Sequence, residues 1–309
     1  MRYGYSLRTV FTYQEIRDLA IRVEDMGFES VHVNDHLIGF DEKKEKKELY
    51  LESMLLMAAL ARETKKIMLG HIVLCNSFRN PALLAKMIST LDNISEGRAL
   101  LWIGAGWYEE EYKSYGYVFP SAKERVDRLE EALIIFKKLF TEDNTYFEGK
   151  FWKLENCRNF PKPLQKPYPQ IVVGTDGKRM IKIAAREADG VNLPYPTIKK
   201  LPEKIKYINE QLQRYNRDPE EFEISIFNAI KLVDSEEELE DVVTKIQKRQ
   251  KDKKQTKEKI IANNYIGFPE DIKEKIIETE DAGVKKMVIS VRKSRSIEDP
   301  LALFKEKVM

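Results

Sequence analysis

Cysteine and histidine are scarce: the 309 residues include two Cys and three His. Cys75 and Cys157 lie far apart without C-x-x-C spacing, which argues against a disulfide scaffold and fits a reduced, cytoplasmic compartment. So few His and Cys leave no ligand set for a structural zinc, and no metal is expected. Net charge is also nearly absent, because 53 basic residues are balanced by 51 acidic ones to leave +2. That balance argues against a nucleic-acid protein driven by counterion release. The same balance argues against an acidic disordered chain. Long apolar runs are missing too. The stretch from Ile67 to Phe78, free of Asp, Glu, Lys and Arg, is far short of the roughly 18 residues needed to span a bilayer. The first residues, MRYGYSLRTV, contain no apolar signal-peptide region, so neither membrane insertion nor secretion is expected.

What is present is a regular alternation of strand-like and helix-like segments, the pattern of a parallel sheet with helical crossovers. Strands are predicted at Arg2 to Leu7, Ser30 to Val33, Ile67 to Leu74, Ala99 to Ile103, Gln170 to Val173, Gly190 to Leu193, Glu223 to Ile230 and Lys286 to Ser290. Between them, Thr12 with Glu15, Ser121 with Glu124 and Ser235 with Glu238 have capping-box spacing, and Asn80-Pro81 places a cap before an N1 proline. Further helices are expected at Leu51 to Ala61, Ala82 to Ile94, Leu201 to Tyr215 and Asp271 to Asp281. The rhythm breaks at Tyr146 to Trp152, which alternates around a Gly-containing turn like a β-hairpin. From Lys245 to Lys259, eight Lys or Arg face two acids in what reads as a loop or solvated helix end. The run from Glu42 to Glu48 (EKKEKKE) reads likewise as solvated.

The length is about twice that of a usual domain and leaves two domains or one large barrel. A doubly wound nucleotide-binding fold lacks its fingerprint here, since Gly104-Ala-Gly106-Trp-Tyr-Glu109 has Glu at the third required Gly. The expectation is therefore α/β: a single (β/α)8 TIM barrel over residues 1–309, with a hairpin insertion near 145–155 and a charged insertion near 245–260.

In such a barrel the chemistry sits in the loops after the strands. After the second strand, His36 is a group able to exchange a proton near neutral pH, with Asp35 adjacent to fix its tautomer, or else a packed residue beside a helix-capping Asp. After the fourth, Gly104 and Gly106 allow close backbone approach and Trp107 offers a flat apolar wall, or simply packs a tight loop. After the fifth, Gly174-Thr175-Asp176-Gly177-Lys178-Arg179 opens a helix whose free N–H groups, hydroxyl and cations would suit a phosphate. The competing reading is a solvated helix start, and Asp176 must point away for phosphate to bind.

At these residues the chain resembles the bacterial luciferase-like oxidoreductases, (β/α)8 enzymes that use a flavin or the deazaflavin coenzyme F420. The likeness is carried by Leu69 to Lys86, Thr90 to Arg98 and Gly104 to Tyr112, with Phe160-Pro-Lys-Pro163, Pro167 to Gly174, Ala184 to Gly190 and Ile266 to Glu270 extending it along nearly the whole chain. The resemblance implies a cofactor ring against the third strand, at a non-prolyl cis bulge near Ile72-Val73, with Asn76 and Gly106 close by. It implies a phosphate on Gly174 to Arg179 assisted by Arg125, and a proton-handling His36. Members that oxidise sugar phosphate carry a Glu donor where this chain has Trp107, which leaves Glu109 as the substitute. The implied function is hydride transfer between a small organic substrate and coenzyme F420. The alternatives are an FMN-dependent monooxygenase and a non-catalytic cofactor-binding barrel. A homodimer through the two apolar helices beginning at Leu51 and Ala82 is implied as well.

Overall fold

The computed structural model describes residues 1–39, 49–249 and 256–309. Strands β1 (Arg2–Leu7), β2 (Ser30–Val33), β3 (Met68–His71), β4 (Leu74–Cys75), β5 (Leu101–Gly104), β6 (Thr145–Glu148), β7 (Lys153–Cys157), β8 (Ile171–Gly174), β9 (Gly190–Pro194), β10 (Glu223–Leu232), β11 (Ile266–Gly267) and β12 (Lys286–Val291) follow one another along the chain. The helices are α1 (Tyr13–Asp25), α2 (Ser53–Glu63), α3 (Pro81–Ile94), α4 (Glu109–Ser114), α5 (Ala122–Thr141), α6 (Lys178–Glu187), α7 (Leu201–Arg214), α8 (Glu236–Arg249), α9 (Lys257–Asn263), α10 (Pro269–Asp281) and α11 (Pro300–Lys307).

The main sheet runs β3-β2-β1-β12-β10-β9-β8-β5-β4, and its pairings are parallel. Its ends meet, because Leu69 N donates to Arg98 O and Leu100 N donates to Leu69 O, both at 2.8 Å. The result is a (β/α)8 barrel, as the alternation predicts. Strands such as Ile171-Val172-Val173 are buried on both faces, the requirement of a sheet wrapped by helices. Thr12 and Glu15 form the expected capping box of α1, and Asn80 caps α3 by accepting from Ala82 N at 2.8 Å.

The interior column is polar at its base. His32 Nε2 lies 2.9 Å from Ser30 Oγ, its ring packs 4.5 Å from Trp102, and the Lys286 ammonium reaches Glu29 at 2.7 Å. Burial, reinforced by the Lys286 charge, pushes His32 well below its ordinary range, so the floor carries a neutral imidazole. A shell of apolar side chains lies between the strands and helices, with Leu133, Phe136 and Phe140 of α5 among the most deeply buried.

Three elements depart from the sequence reading. The expected third strand is two pieces, β3 and β4, and the peptide joining Ile72 to Val73 between them is cis, as the family resemblance implies. A short helix, α4, follows the Gly104 loop where no helix is expected. The fourth strand begins at Leu101 rather than Ala99, since the backbone of residues 98 to 100 makes the closing bridge to Leu69. The hairpin is present as β6 and β7, paired antiparallel. In the charged insertion, α8 continues to Arg249 and α9 opens at Lys257, so both flanks are helical. The remainder of that insertion and the run from Glu42 to Glu48 lie outside the described residues.

Candidate active site

The loops after β2, β4, β5 and β8 enclose a cavity of about 400 Å³ at the C-terminal mouth of the barrel. Its walls include Ile72, Val73, Leu74, Ala105, Pro194 and Phe227, an apolar slot closed on one side by Trp107 and Tyr108. Trp107 remains 64% exposed, so its indole forms the rim of the cavity.

His36 lines this cavity, but Asp35 is not its partner. Asp35 is buried and accepts from Arg79 Nη1 at 2.7 Å, Arg79 Nη2 at 3.0 Å, the Ser53 hydroxyl and the Cys75 backbone N–H. Burial raises the Asp35 carboxyl, but the hydrogen bonds and charge of Arg79 outweigh it and hold the pKa below the usual range. Asp35 therefore ties β4 to α2 and cannot set the imidazole tautomer. That position belongs to Glu111: its Oε2 lies 3.1 Å from His36 Nδ1, while its Oε1 accepts from the backbone N–H groups of Leu37 and Ile38.

Glu109 stands on the same helix but does not line the cavity. It occupies the first turn of α4 with its side chain 54% exposed and pairs with Lys113 at 2.7 Å. Glu111, two residues on, rotates inward and is 2% exposed. Tyr112 beside it packs 5.2 Å from Phe78 and 4.9 Å from Phe119, which fixes the phase of the helix.

Gly106 has φ +80°, and a Cβ there would lie 1.9 Å from Tyr112 Oη and 2.7 Å from Cys75 Sγ. Only glycine lets this loop lie flat against α4. Cys75 itself is buried; desolvation pushes its thiol up to about 11, so it is no nucleophile at neutral pH.

The far end of the cavity is Gly174, Thr175 and Asp176. Thr175 Oγ1 accepts from Gly177 N at 3.0 Å, and Gly177 caps α6 without a side chain, leaving the first amides of the helix uncapped by any side chain. Asp176 turns outward, with its side chain 69% exposed and Lys204 at 3.6 Å. The predicted cations are elsewhere. Lys178 stands over the Tyr207 ring at 5.5 Å, and Arg179 pairs with Asp127. Arg125 donates to Gly106 O at 3.1 Å and stacks on Phe119 at 4.1 Å. Its position explains the Gly106 loop rather than a phosphate contact. Asn76 is buried just beyond the wall, where its N–H donates to Gly104 O and its Oδ1 has no hydrogen-bond partner among the described residues.

An apolar slot of this size, with an uncapped helix start at one end and a buried orphan acceptor beside it, fits a planar ring carrying a phosphate tail. The profile of the family described as luciferase-like monooxygenase matches residues 1–288. The chain belongs to that family. Among its relatives, the F420-dependent glucose-6-phosphate dehydrogenase of Amycolatopsis mediterranei (strain U-32) is 32% identical over 181 residues, 58% of this chain and 53% of that protein. The FMNH(2)-dependent dimethylsulfone monooxygenase of Pseudomonas putida is 32% identical over 138 residues, 45% of this chain and 38% of that protein. This luciferase-like chain thus spans about half the length, or less, of these curated relatives. Two solved structures share the fold: an F420-dependent secondary alcohol dehydrogenase in complex with an F420-acetone adduct and the EDTA monooxygenase (EmoA) from Chelativorans sp. BNC1. The first has TM-score 0.84 at 21% identity, covering 99% of this chain and 98% of that one. The second has TM-score 0.82 at 14% identity, covering 100% of this chain and 92% of that one.

Proposed function

We propose that this luciferase-like protein is a coenzyme F420-dependent oxidoreductase that moves a hydride between the deazaflavin ring and a small organic substrate. The observation that carries it is the His36–Glu111 pair at the rim of an apolar slot whose other end is the uncapped start of α6. Similarity to the F420-dependent glucose-6-phosphate dehydrogenases supports the choice of cofactor. When bound, coenzyme F420 supplies a carbon able to accept or return a hydride.

The residues of the chain do the rest. Ile72, Val73 and Ala105 would take the ring, Thr175 with the α6 amides would take the phosphate, and Gly106 would allow close approach at the slot wall. Because the Glu111 carboxylate is the acceptor for Leu37, Ile38 and the imidazole, His36 donates through Nδ1, and exchange with a substrate hydroxyl or carbonyl runs through Nε2. Trp107 and Phe227 would wall the side of the slot on which that exchange takes place.

A second reading, reduced FMN with oxygen insertion, is supported by the relative from Pseudomonas putida. Fluorescence titration of the purified protein with coenzyme F420 and with FMN separates the two. Retention of FMN without coenzyme F420 overturns the first reading, while binding of coenzyme F420 with no reduction by any alcohol leaves a carrier. Free Cys75 and Cys157 support a cytoplasmic location. The exposed Leu55 on α2 and Leu83 on α3 support a homodimer through those helices, which sedimentation velocity measures directly. No helix of the described residues is long and apolar enough to cross a membrane.

A further inference from the structure

The slot opens past His36 into a second lobe of about 350 Å³, and the two share His36, Ile72, Trp107, Pro194 and Phe227. The far wall of this lobe is built by the ends of β1 and β12. Alternate residues of a strand face one side, so Gly4, Ser6 and Arg8 form one column and Val288, Ser290 and Arg292 another. Val288 packs on Trp102 in the barrel interior, and a Cβ on Gly4 would meet Ser30 and His32 there, so both columns face the axis. The parallel register sets Gly4 opposite Val288 and Tyr5 opposite Ile289. Arg8 and Arg292 follow directly on the ends of these two neighbouring strands, at the same offset as the ladder pairs, and both line the lobe.

Two like charges on neighbouring strands repel unless an anion lies between them. Among the described residues neither guanidinium has a carboxylate at ion-pair distance, and Arg8 has only the Phe11 ring, 5.7 Å away. Arg8 and Arg292 stand between this lobe and an outer cleft that they also line with Phe11, Glu298 and Asp299, where Asp299 is taken by Arg22. The hydroxyls of Ser6 and Ser290 lie beneath the arginines, and Tyr195, packed 4.8 Å from Phe227, forms the opposite wall. A planar fork on each side matches the oxygens of a carboxylate or phosphate, for which arginine is better suited than a point charge.

We propose that Arg8 and Arg292 clamp the oxyanion of the substrate, an organic carboxylate or phosphate ester whose reacting carbon lies at the His36 end of the same cleft. This substrate class rests on the reading of the larger lobe as the cofactor site. Neutral alcohols then bind weakly, and an anionic group several bonds from the reacting carbon raises kcat/KM through KM.

The test uses the full chain loaded with coenzyme F420, so that its phosphate site is filled, and titrates inorganic phosphate and succinate by calorimetry. At least one binds saturably to the wild type, and the Arg8→Ala/Arg292→Ala variant binds it at least tenfold more weakly with its affinity for coenzyme F420 unchanged. Preference for phosphate or for succinate tells which oxyanion the clamp is built for. Equal affinity in wild type and variant, or no saturable binding of either anion by the wild type, overturns the clamp. If coenzyme F420 itself fails to bind, the functional reading falls instead. The same pair of anions is then titrated into the coenzyme-free proteins, where an unchanged affinity again overturns the clamp. Should the double alanine variant not fold, Arg8→Lys/Arg292→Lys keeps the charges and loses the forks, and at least threefold weaker binding is expected.

Discussion

His36 Nδ1 lies 3.1 Å from Glu111 Oε2, and the other oxygen of that carboxylate holds the backbone of Leu37 and Ile38. One side chain thus fixes both the orientation of the imidazole and the loop that carries it. Glu111→Gln keeps the shape but removes the acceptor that holds the proton on Nδ1, and a hydrogen bond to a charged group is worth about 1.5–3 kcal/mol, roughly 10- to 150-fold in rate. The expected result is a kcat reduced within that range, little change in coenzyme affinity, and an altered pH profile of kcat. His36→Asn lowers kcat at least as far. A Glu111→Gln enzyme with wild-type kcat and pH profile removes His36 from the proton path.

The Asp35–Arg79 pair is a separate matter of stability. Both side chains are largely buried, and Arg79 also reaches Glu52. Removing one partner leaves the other charge stranded, at a cost of about 3–5 kcal/mol. Arg79→Ala should therefore lower the urea midpoint sharply, whereas Glu109→Ala, which breaks only an exposed pair with Lys113, should scarcely move it. The Asp35 carboxyl is depressed in the folded protein, so its contribution is fully present above the unfolded carboxylate value of about 4 and fades as pH falls through the lower folded value. Asp35→Asn should flatten this part of the acid-unfolding curve, and an unchanged curve contradicts the assignment.

The barrel was legible because each strand end and helix start carries its own local signal, as with Thr12 and Glu15 or Asn80 and Pro81. The site was less so. Glu109, Glu110 and Glu111 are chemically identical neighbours, and only the phase of α4, set by Tyr112 against Phe78 and Phe119, turns Glu111 toward His36. The sequence does contain a faint cue, since Tyr108, Glu111, Tyr112 and Tyr115 recur at helical spacing. Asp35 adjoins His36 in sequence, yet as successive residues they point to different neighbours, and Asp35 meets Arg79 from 44 positions away. Such long-range pairings have no local signature.

Gly106 is the position where backbone geometry matters most. With φ +80° and Tyr112 Oη only 1.9 Å from where a Cβ would lie, Gly106→Ala requires the loop and α4 to separate. The left-handed conformation alone costs about 1–2 kcal/mol for an L-residue. The melting temperature should drop, and coenzyme binding should weaken because the same loop forms the slot wall. Gly116, also at positive φ but with nothing within 4 Å, is the control: Gly116→Ala bears the backbone cost without the collision. Coenzyme affinity that falls equally in both variants contradicts a role for close approach at Gly106.

The α6 start makes a prediction that distinguishes amides from cations. Lys178 and Arg179 are directed at Tyr207 and Asp127, so the phosphate reading now rests on Thr175 and the helix amides. Because Thr175 Oγ1 also accepts from Gly177 N, Thr175→Val removes both a ligand hydroxyl and the brace of the loop. Loss of a hydrogen bond to a charged group is worth about 1.5–3 kcal/mol, roughly a 10- to 150-fold weaker Kd for the coenzyme. Lys178→Ala, by contrast, removes only a cation seated on an aromatic ring and should weaken binding less than Thr175→Val at the same ionic strength. The reverse ranking in a fluorescence titration would return the phosphate to the lysine, as the sequence alone first implies.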